Sequence, residues 1–349
     1  LTGGLTLYSW SGSGAWTDPA RWNPVAIPGT SDVALISAGT ATVSDARAIG
    51  ALQLSGGAVN GAGTLTLTGS GSRWSDGALS GTGTLKVATG ATLELSGTSA
   101  MTFNRADGNG SGGRTLENLG TLTWTGSGGL LGGDGAQIFN QSGALFDLKS
   151  DATLGYTGGG NAPGFTNAGT FRKSAGTGTS TVSQTGFTTS GLVDVQSGTL
   201  AFTSGVTSNG STFTAASGTS ILFSGGQTFN TGTSFTGAGT VRIDGGTTTV
   251  SGNLTTQNLT FAAGTLQGTA TVAGAMAWTG GAWSGTGTLS VASGAALTLA
   301  GASDKIYNRA DGNGSGGRSI ENLGTTTWTG TGQLLGGDAI VNSDLPTPV

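Results

Sequence analysis

The residues best placed to do chemistry lie in one short string, Asn104-Arg-Ala-Asp-Gly-Asn-Gly-Ser-Gly-Gly-Arg114, which returns unchanged as Asn308 to Arg318. Asp107, Asn109 and Ser111 put oxygen atoms at alternate positions around glycines, with Glu117 further on; Asp311, Asn313, Ser315 and Glu321 repeat the set. Alternating oxygens on a glycine turn wrap a hard cation such as Ca²⁺. The pattern is a weak form of a calcium loop: the closing carboxylate belongs at position 118, where Asn stands, and Glu117 is one place early. A solvated Gly/Asn turn, kept identical by a recent duplication, accounts for the same string.

Catalytic chemistry finds little else to work with. The chain has no histidine and no cysteine, so Ser-His-Asp catalysis, disulfides and thiolate metal sites are excluded. Glycoside hydrolysis and proton abstraction need converging acids and bases. The densest charged cluster, Asp147, Lys149 and Asp151, has the spacing of a solvated strand face, and the other carboxylates are scattered. No enzyme and no organic cofactor are expected; were an acidic polysaccharide cleaved, Asp147 and Asp194 would be the first candidates. With 13 Lys and Arg against 17 Asp and Glu, and no basic cluster, nucleic acid is not an expected partner. No apolar run reaches the length of a membrane span. The chain opens at Leu1 without an initiator Met, which reads as a processed form or an excerpt of a longer precursor.

These residues must be carried on repeated elements. Trp74 to Asp134 reappears as Trp278 to Asp338 with roughly two thirds of positions identical, and weaker likeness extends the duplication to residues 34–138 and 241–341. Within it, Ala58-Val-Asn-Gly-Ala-Gly-Thr-Leu recurs as Ala78-Leu-Ser-Gly-Thr-Gly-Thr-Leu. Glycines opening Gly-x-apolar strands fall at Gly120, Gly143, Gly169 and Gly191, with later ones at Gly218 and Gly239. A period of 20–26 residues with strand alternation predicts an all-β parallel β-helix, or β-solenoid, of about sixteen coils. A single coil leaves its apolar row half covered, and coils above and below complete the burial. Inward positions are predicted at Leu122, Leu145, Phe171, Val193 and Val241; Phe146, one place further on, fits poorly and suggests a bulge.

Residues 1–32, with Trp10, Trp16, Trp22, Pro19, Pro24 and Pro28, depart from the pattern and read as an N-terminal cap on a solenoid spanning 33–349. Asn118, Asn140 and Asn167, each just ahead of a strand, suit a ladder of stacked amides at a corner. Trp74, Trp124, Trp278, Trp283 and Trp328 read as interior packing more readily than as a sugar-stacking surface.

Trp10-Ser-Gly, Trp16, Trp22 and Pro28-x-x-x-Asp32, the Gly-Gly-x-Val-x-Gly-x-Gly-Thr-Leu coils, and the Asn-x-Gly-Thr strands at Asn118, Asn167 and Asn322 resemble bacterial surface and secreted β-helix proteins. The groups concerned are autotransporter passengers and filamentous-haemagglutinin-like adhesins. The resemblance covers most of the chain, and its motifs report coil geometry more than chemistry. It implies a right-handed parallel β-helix, export to the bacterial cell surface or beyond, and a role in adhesion, biofilm matrix or filament formation. The partners it implies are other copies stacked end to end, or a cell-surface glycan or receptor. A carbohydrate-binding β-helix is the alternative, and a polysaccharide lyase or hydrolase a more distant one.

Overall fold

The computed structural model describes residues 5–105, 110–308 and 318–337. The fold is an all-β parallel β-solenoid of about 13 turns, with 39 strands among the described residues joined by tight corners. The one helical element among the described residues is the 3-10 turn Pro19–Arg21. The turns are fewer than the sequence period predicts because they vary in length. Thr247 pairs with Thr265, 18 residues on, whereas Leu85 pairs with Leu116, 31 residues on, since the Asn104–Arg114 string lies within that turn.

The chain divides into two compact units, Leu1–Phe187 and Thr188–Val349. In the first unit, parallel strands stack in register, so that a residue type at one inward position meets its counterpart on the next turn. Leu65, Leu85, Leu116, Ile138 and Phe165 form one such column. Leu93, Leu122, Phe146 and Phe171 form a second, and Met101, Leu130, Leu154 and Val182 a third. All of these side chains are buried. The strands alternate inward apolar with outward Thr, as in Thr64–Leu67 and Thr121–Trp124, because the pleat has a period of two.

Phe146 corrects the register inferred from glycine spacing. It lies opposite Leu122 and Phe171 and is wholly buried, while Leu145 faces outward beside Thr121. No bulge interrupts the strand. From Asn118 to Leu122 is four positions and from Asn140 to Phe146 six, and the extra two residues sit in a turn closed by Ala144 N–H donating to Gln141 O at 3.0 Å. Gly143 in that turn has φ +80°, a conformation that side chains rarely adopt.

Residues Thr6–Trp10 and Ser13–Ala15 pair in parallel with Asp32–Ile36 and Thr40–Thr42, so the Trp/Pro-rich segment supplies strands of the first turn. Trp10 and Trp16 each meet Trp22 edge-to-face with ring centroids 4.8 Å apart. On the other edge of Thr6–Trp10, Ser9 and Trp10 pair antiparallel with Asn23 and Trp22.

In the second unit, one inward column runs Phe202, Phe223, Ile243, Phe261, Trp278, Leu299, Trp328, and another Leu200, Ile221, Val241, Leu259, Met276, Leu297. Strands Thr247–Phe261 and Thr265–Trp278 are long because they bend around the corners without breaking, with a register shift between Thr256 and Leu259. Val193 and Val241 are buried as the sequence predicts.

Phe171 touches Phe146, Phe165 and Phe187 with centroid distances of 5.1–5.5 Å, so Phe171→Ala opens a cavity between turns that rigid neighbouring rungs cannot close. Chemical denaturation is expected to show a loss of about 3–5 kcal/mol.

Candidate functional site

The polar side chains with the most elaborate environments face inward at corners of the solenoid. In the first unit the asparagine ladder is present as its sequence positions suggest. Asn118 Nδ2 donates to Asn140 Oδ1 at 2.8 Å and to Leu145 O at 2.9 Å; Asn140 Nδ2 donates to Asn167 Oδ1 at 2.8 Å and to Thr170 O at 3.0 Å. All three amides are buried. In the second unit hydroxyls do comparable work: Ser208 Oγ and Thr233 Oγ1 lie 2.7 Å apart, Ser211 Oγ donates to Thr189 Oγ1 at 3.1 Å, and Thr248 donates to Gln227 Oε1 at 2.7 Å. Buried polar groups satisfied in this way tie adjacent turns together and fix their register.

Among the described residues four cations are buried, Lys173, Lys305, Arg114 and Arg318, and ligand spacing in the sequence does not single them out. Lys173 is fully enclosed; its ammonium donates to Asp151 Oδ1 at 2.7 Å, Ser180 Oγ at 3.0 Å and the carbonyls of Ser150 and Ala175. Strand alternation alone carried the signal, because Phe171 inward and Arg172 outward put Lys173 inward. Ser180 beside a lysine has the makings of a nucleophile and base. Here the lysine is charge-paired and the hydroxyl donates to Ser150 O at 2.8 Å, which suits cohesion and not nucleophilic attack. Lys173 also holds the Asp151 carboxyl below its ordinary range, helped by the Gly178 N–H.

Lys305 is likewise enclosed and donates to Ser303 O at 2.8 Å, and Arg114 and Arg318, the last residues of the duplicated string, are the remaining two. Arg114 Nη1 donates to Ser80 O at 3.0 Å and Gly61 O at 3.4 Å, carbonyls of two preceding turns. Arg318 does the same with Ser284 O at 2.9 Å and with Gly268 O, and lies 5.2 Å from the Trp283 ring centre. Burial pulls each guanidinium down to about 10, so both stay charged at neutral pH. Arg114 Nε and Nη2 are buried without a partner. Identity of the string in both copies is the sign that the sequence offers for these guanidinium groups.

Of the calcium-loop residues, Asp107, Asn109, Asp311, Asn313 and Ser315 lie outside the described residues. Ser111 is exposed, and its carbonyl accepts from Arg105 Nη1 at 3.1 Å. Glu117 stands on an outward strand face, paired with Lys86 at 3.1 Å and accepting from Gln141 Nε2 at 3.1 Å. Glu321 accepts from Ser290 Oγ at 2.9 Å. Among the described residues, no three acidic side chains are brought together to hold a metal ion. The acidic residues singled out as catalytic candidates are also apart in their bonding: Asp147 faces Lys149 at 3.9 Å, and Asp194 accepts from Gln196 at 2.8 Å.

The first unit carries a shallow, open groove lined by Gln53, Arg73, Glu94, Thr123, Thr125 and Lys149. Register places Gln53, Arg73, Glu94 and Thr123 on consecutive turns. Thr125 donates to Glu94 Oε1 at 2.6 Å and Arg73 Nε to Ser96 Oγ at 2.5 Å, leaving two half-exposed cations and a row of hydroxyls toward solvent. Such a surface suits a hydroxyl-rich or anionic chain laid along it. The tryptophans do not contribute, for Trp74, Trp124, Trp278 and Trp283 are buried and Trp328 is half-buried. No protein-family model, curated protein or solved structure matches the chain.

Two outcomes are expected. The stability that Asp151 gains from Lys173 is present above the ordinary carboxylate range and lost as pH falls through the lowered folded value. Thermal melts below about pH 4 should therefore fall less steeply for Asp151→Asn, which starts from a lower melting point because Lys173 loses its counter-charge. With Glu117 already held by Lys86, Glu117→Gln should leave unchanged any calorimetric heat of Ca²⁺ binding at the Asp107–Ser111 loop.

Proposed function

We propose that this chain is a non-enzymatic structural protein, a β-helical support serving as an adhesin stalk or as a subunit of a surface filament or matrix outside a bacterial cell. The observation that carries the reading is where the polar chemistry goes. Amides, hydroxyls and buried cations reach from turn to turn, and the interior is committed to cohesion along the stacking direction. The resemblance to surface and secreted β-helix proteins supports the same reading and supplies its extracellular setting. Outward Thr columns give an uncharged, hydroxyl-rich side suited to weak, repeated contacts.

The partner in this reading is a cell-surface glycan or receptor. End-to-end stacking of copies, expected from the sequence, meets an obstacle at the first turn. Ser9 and Trp10 of the first strand are paired antiparallel with Asn23 and Trp22, and Pro19, Pro24 and Pro28 lie in the same segment, so the Trp/Pro-rich residues act as a partial shield against edge pairing. A second reading, carbohydrate binding, is favoured by the groove over Arg73, Glu94 and Lys149.

Beads coated with the protein are expected to adhere to glycan-bearing surfaces while releasing no reducing or unsaturated ends from acidic polysaccharides. Release of such ends would identify an enzyme and overturn the reading. Saturable binding to one glycan class, reduced at least about tenfold by Arg73→Ala with Lys149→Ala, would place the carbohydrate-binding reading first.

A further inference from the structure

We propose that the groove of the first unit takes an uncharged polysaccharide chain laid across five consecutive turns, with Asp147 as the hydroxyl acceptor at its far end. The inference rests on the carbohydrate-binding reading and adds to it the class of glycan and a residue beyond the groove lining.

The groove has a volume of about 570 Å³, within the range that bound ligands occupy. Gln53, Arg73, Glu94 and Thr123 are followed on the next turn by Asp147, so four steps of about 4.8 Å give a track of about 19 Å. Charges on that track cancel: Arg73 faces Glu94 at 3.9 Å, and Lys149 faces Asp147 at the same distance. A polyanion would meet two carboxylates for its two cations and gain little. A peptide is no better served. The strands under the track are paired on both sides, which leaves no backbone edge to extend, and Leu93, the apolar residue of the lining, is buried.

The polar bonding singles out the far end. On two turns the charged residue is bonded to a hydroxyl two places past its register partner: Arg73 Nε donates to Ser96 Oγ at 2.5 Å, and Thr125 Oγ1 to Glu94 Oε1 at 2.6 Å. Asp147 stands in the same relation to Ser174, its register partner being Arg172. Yet Asp147 Oδ1 and Ser174 Oγ are both buried without a partner, and Asp147 as a whole is 6% exposed. An acceptor that needs a donor and a hydroxyl that needs an acceptor are satisfied together by a sugar hydroxyl, which offers both; a carboxylate or sulfate offers only the second. Lys149, 46% exposed, is the neighbouring side chain that gives way, since a surface ion pair of this length holds weakly.

The probes are linear β-1,4-glucan, β-1,3-glucan, β-1,4-mannan and β-1,4-galactan oligosaccharides of two and six residues, with hexagalacturonate as the anionic comparator. Each is titrated calorimetrically against the whole chain at about 50 and about 300 mM NaCl. A neutral hexamer is expected to bind at least about tenfold more tightly than its dimer and than hexagalacturonate, with an affinity that changes less than about twofold with salt. Asp147→Ala and Glu94→Ala should each weaken that binding about tenfold, while D147A does not lower the melting temperature, because it removes an orphaned buried oxygen. Tighter, salt-dependent binding of hexagalacturonate overturns the proposal and leaves the carbohydrate-binding reading standing. So does hexamer binding that neither substitution alters. Binding of no probe at millimolar concentration overturns both.

Discussion

Everything in this molecule depends on parallel backbone pairing between successive turns held in register. Because each strand is hydrogen-bonded to the strands one turn before and after, an inward residue is stacked on residues of the same role, about 4.8 Å away. The constraint acts on columns and not on single positions. A column tolerates a gradual change of size, as from Leu65 through Ile138 to Phe165, and the neighbouring column adjusts with it. It also turns a polar residue that repeats on successive turns into a ladder, so Asn118, Asn140 and Asn167 satisfy one another where a lone buried amide would be costly.

The same constraint explains what the sequence disclosed. Alternation within strands and the recurrence of Asn-x-Gly-Thr made the fold class, the inward tryptophans and the amide ladder legible, since each follows from the pleat and the stacking. Turn number was less legible, because corners absorb residues without disturbing the columns; the two additional positions at Gln141–Ala144 are a case, and they misplaced Leu145 and Phe146 by one. The functional residues were harder still. Ligand spacing in Asp107 to Arg114 points to the oxygens, whereas the described geometry singles out the guanidinium at the end of the string. Lys173 was hidden for a different reason: a lysine is usually solvated, and strand alternation had to be trusted over that habit.

The buried cations show how a solenoid corner differs from a globular core. Carbonyls of stacked corners converge on one line, and a guanidinium placed there receives several partial negative charges without a carboxylate. Arg114 and Arg318 use that geometry, and their lowered pKa of about 10 measures the incomplete compensation. A buried charge of this kind favours one arrangement of neighbouring turns more than it adds stability. Lys173 is the other solution, with a half-exposed aspartate at the rim neutralising the enclosed ammonium.

Close-packed glycine backbone at the corners carries the same logic into steric terms. At Gly39, φ is +72° and a side chain would fall 1.7 Å from Gly12 O, so the first two turns approach each other too tightly for any other residue. The duplicated block has a consequence of a different kind. Its two copies match over a stretch that includes whole rungs, so recombination between them would remove or add a block while leaving an unaltered sequence at the join. Such an exchange would change the number of turns in block-sized increments, with no new rung-to-rung interface to be evolved at each change.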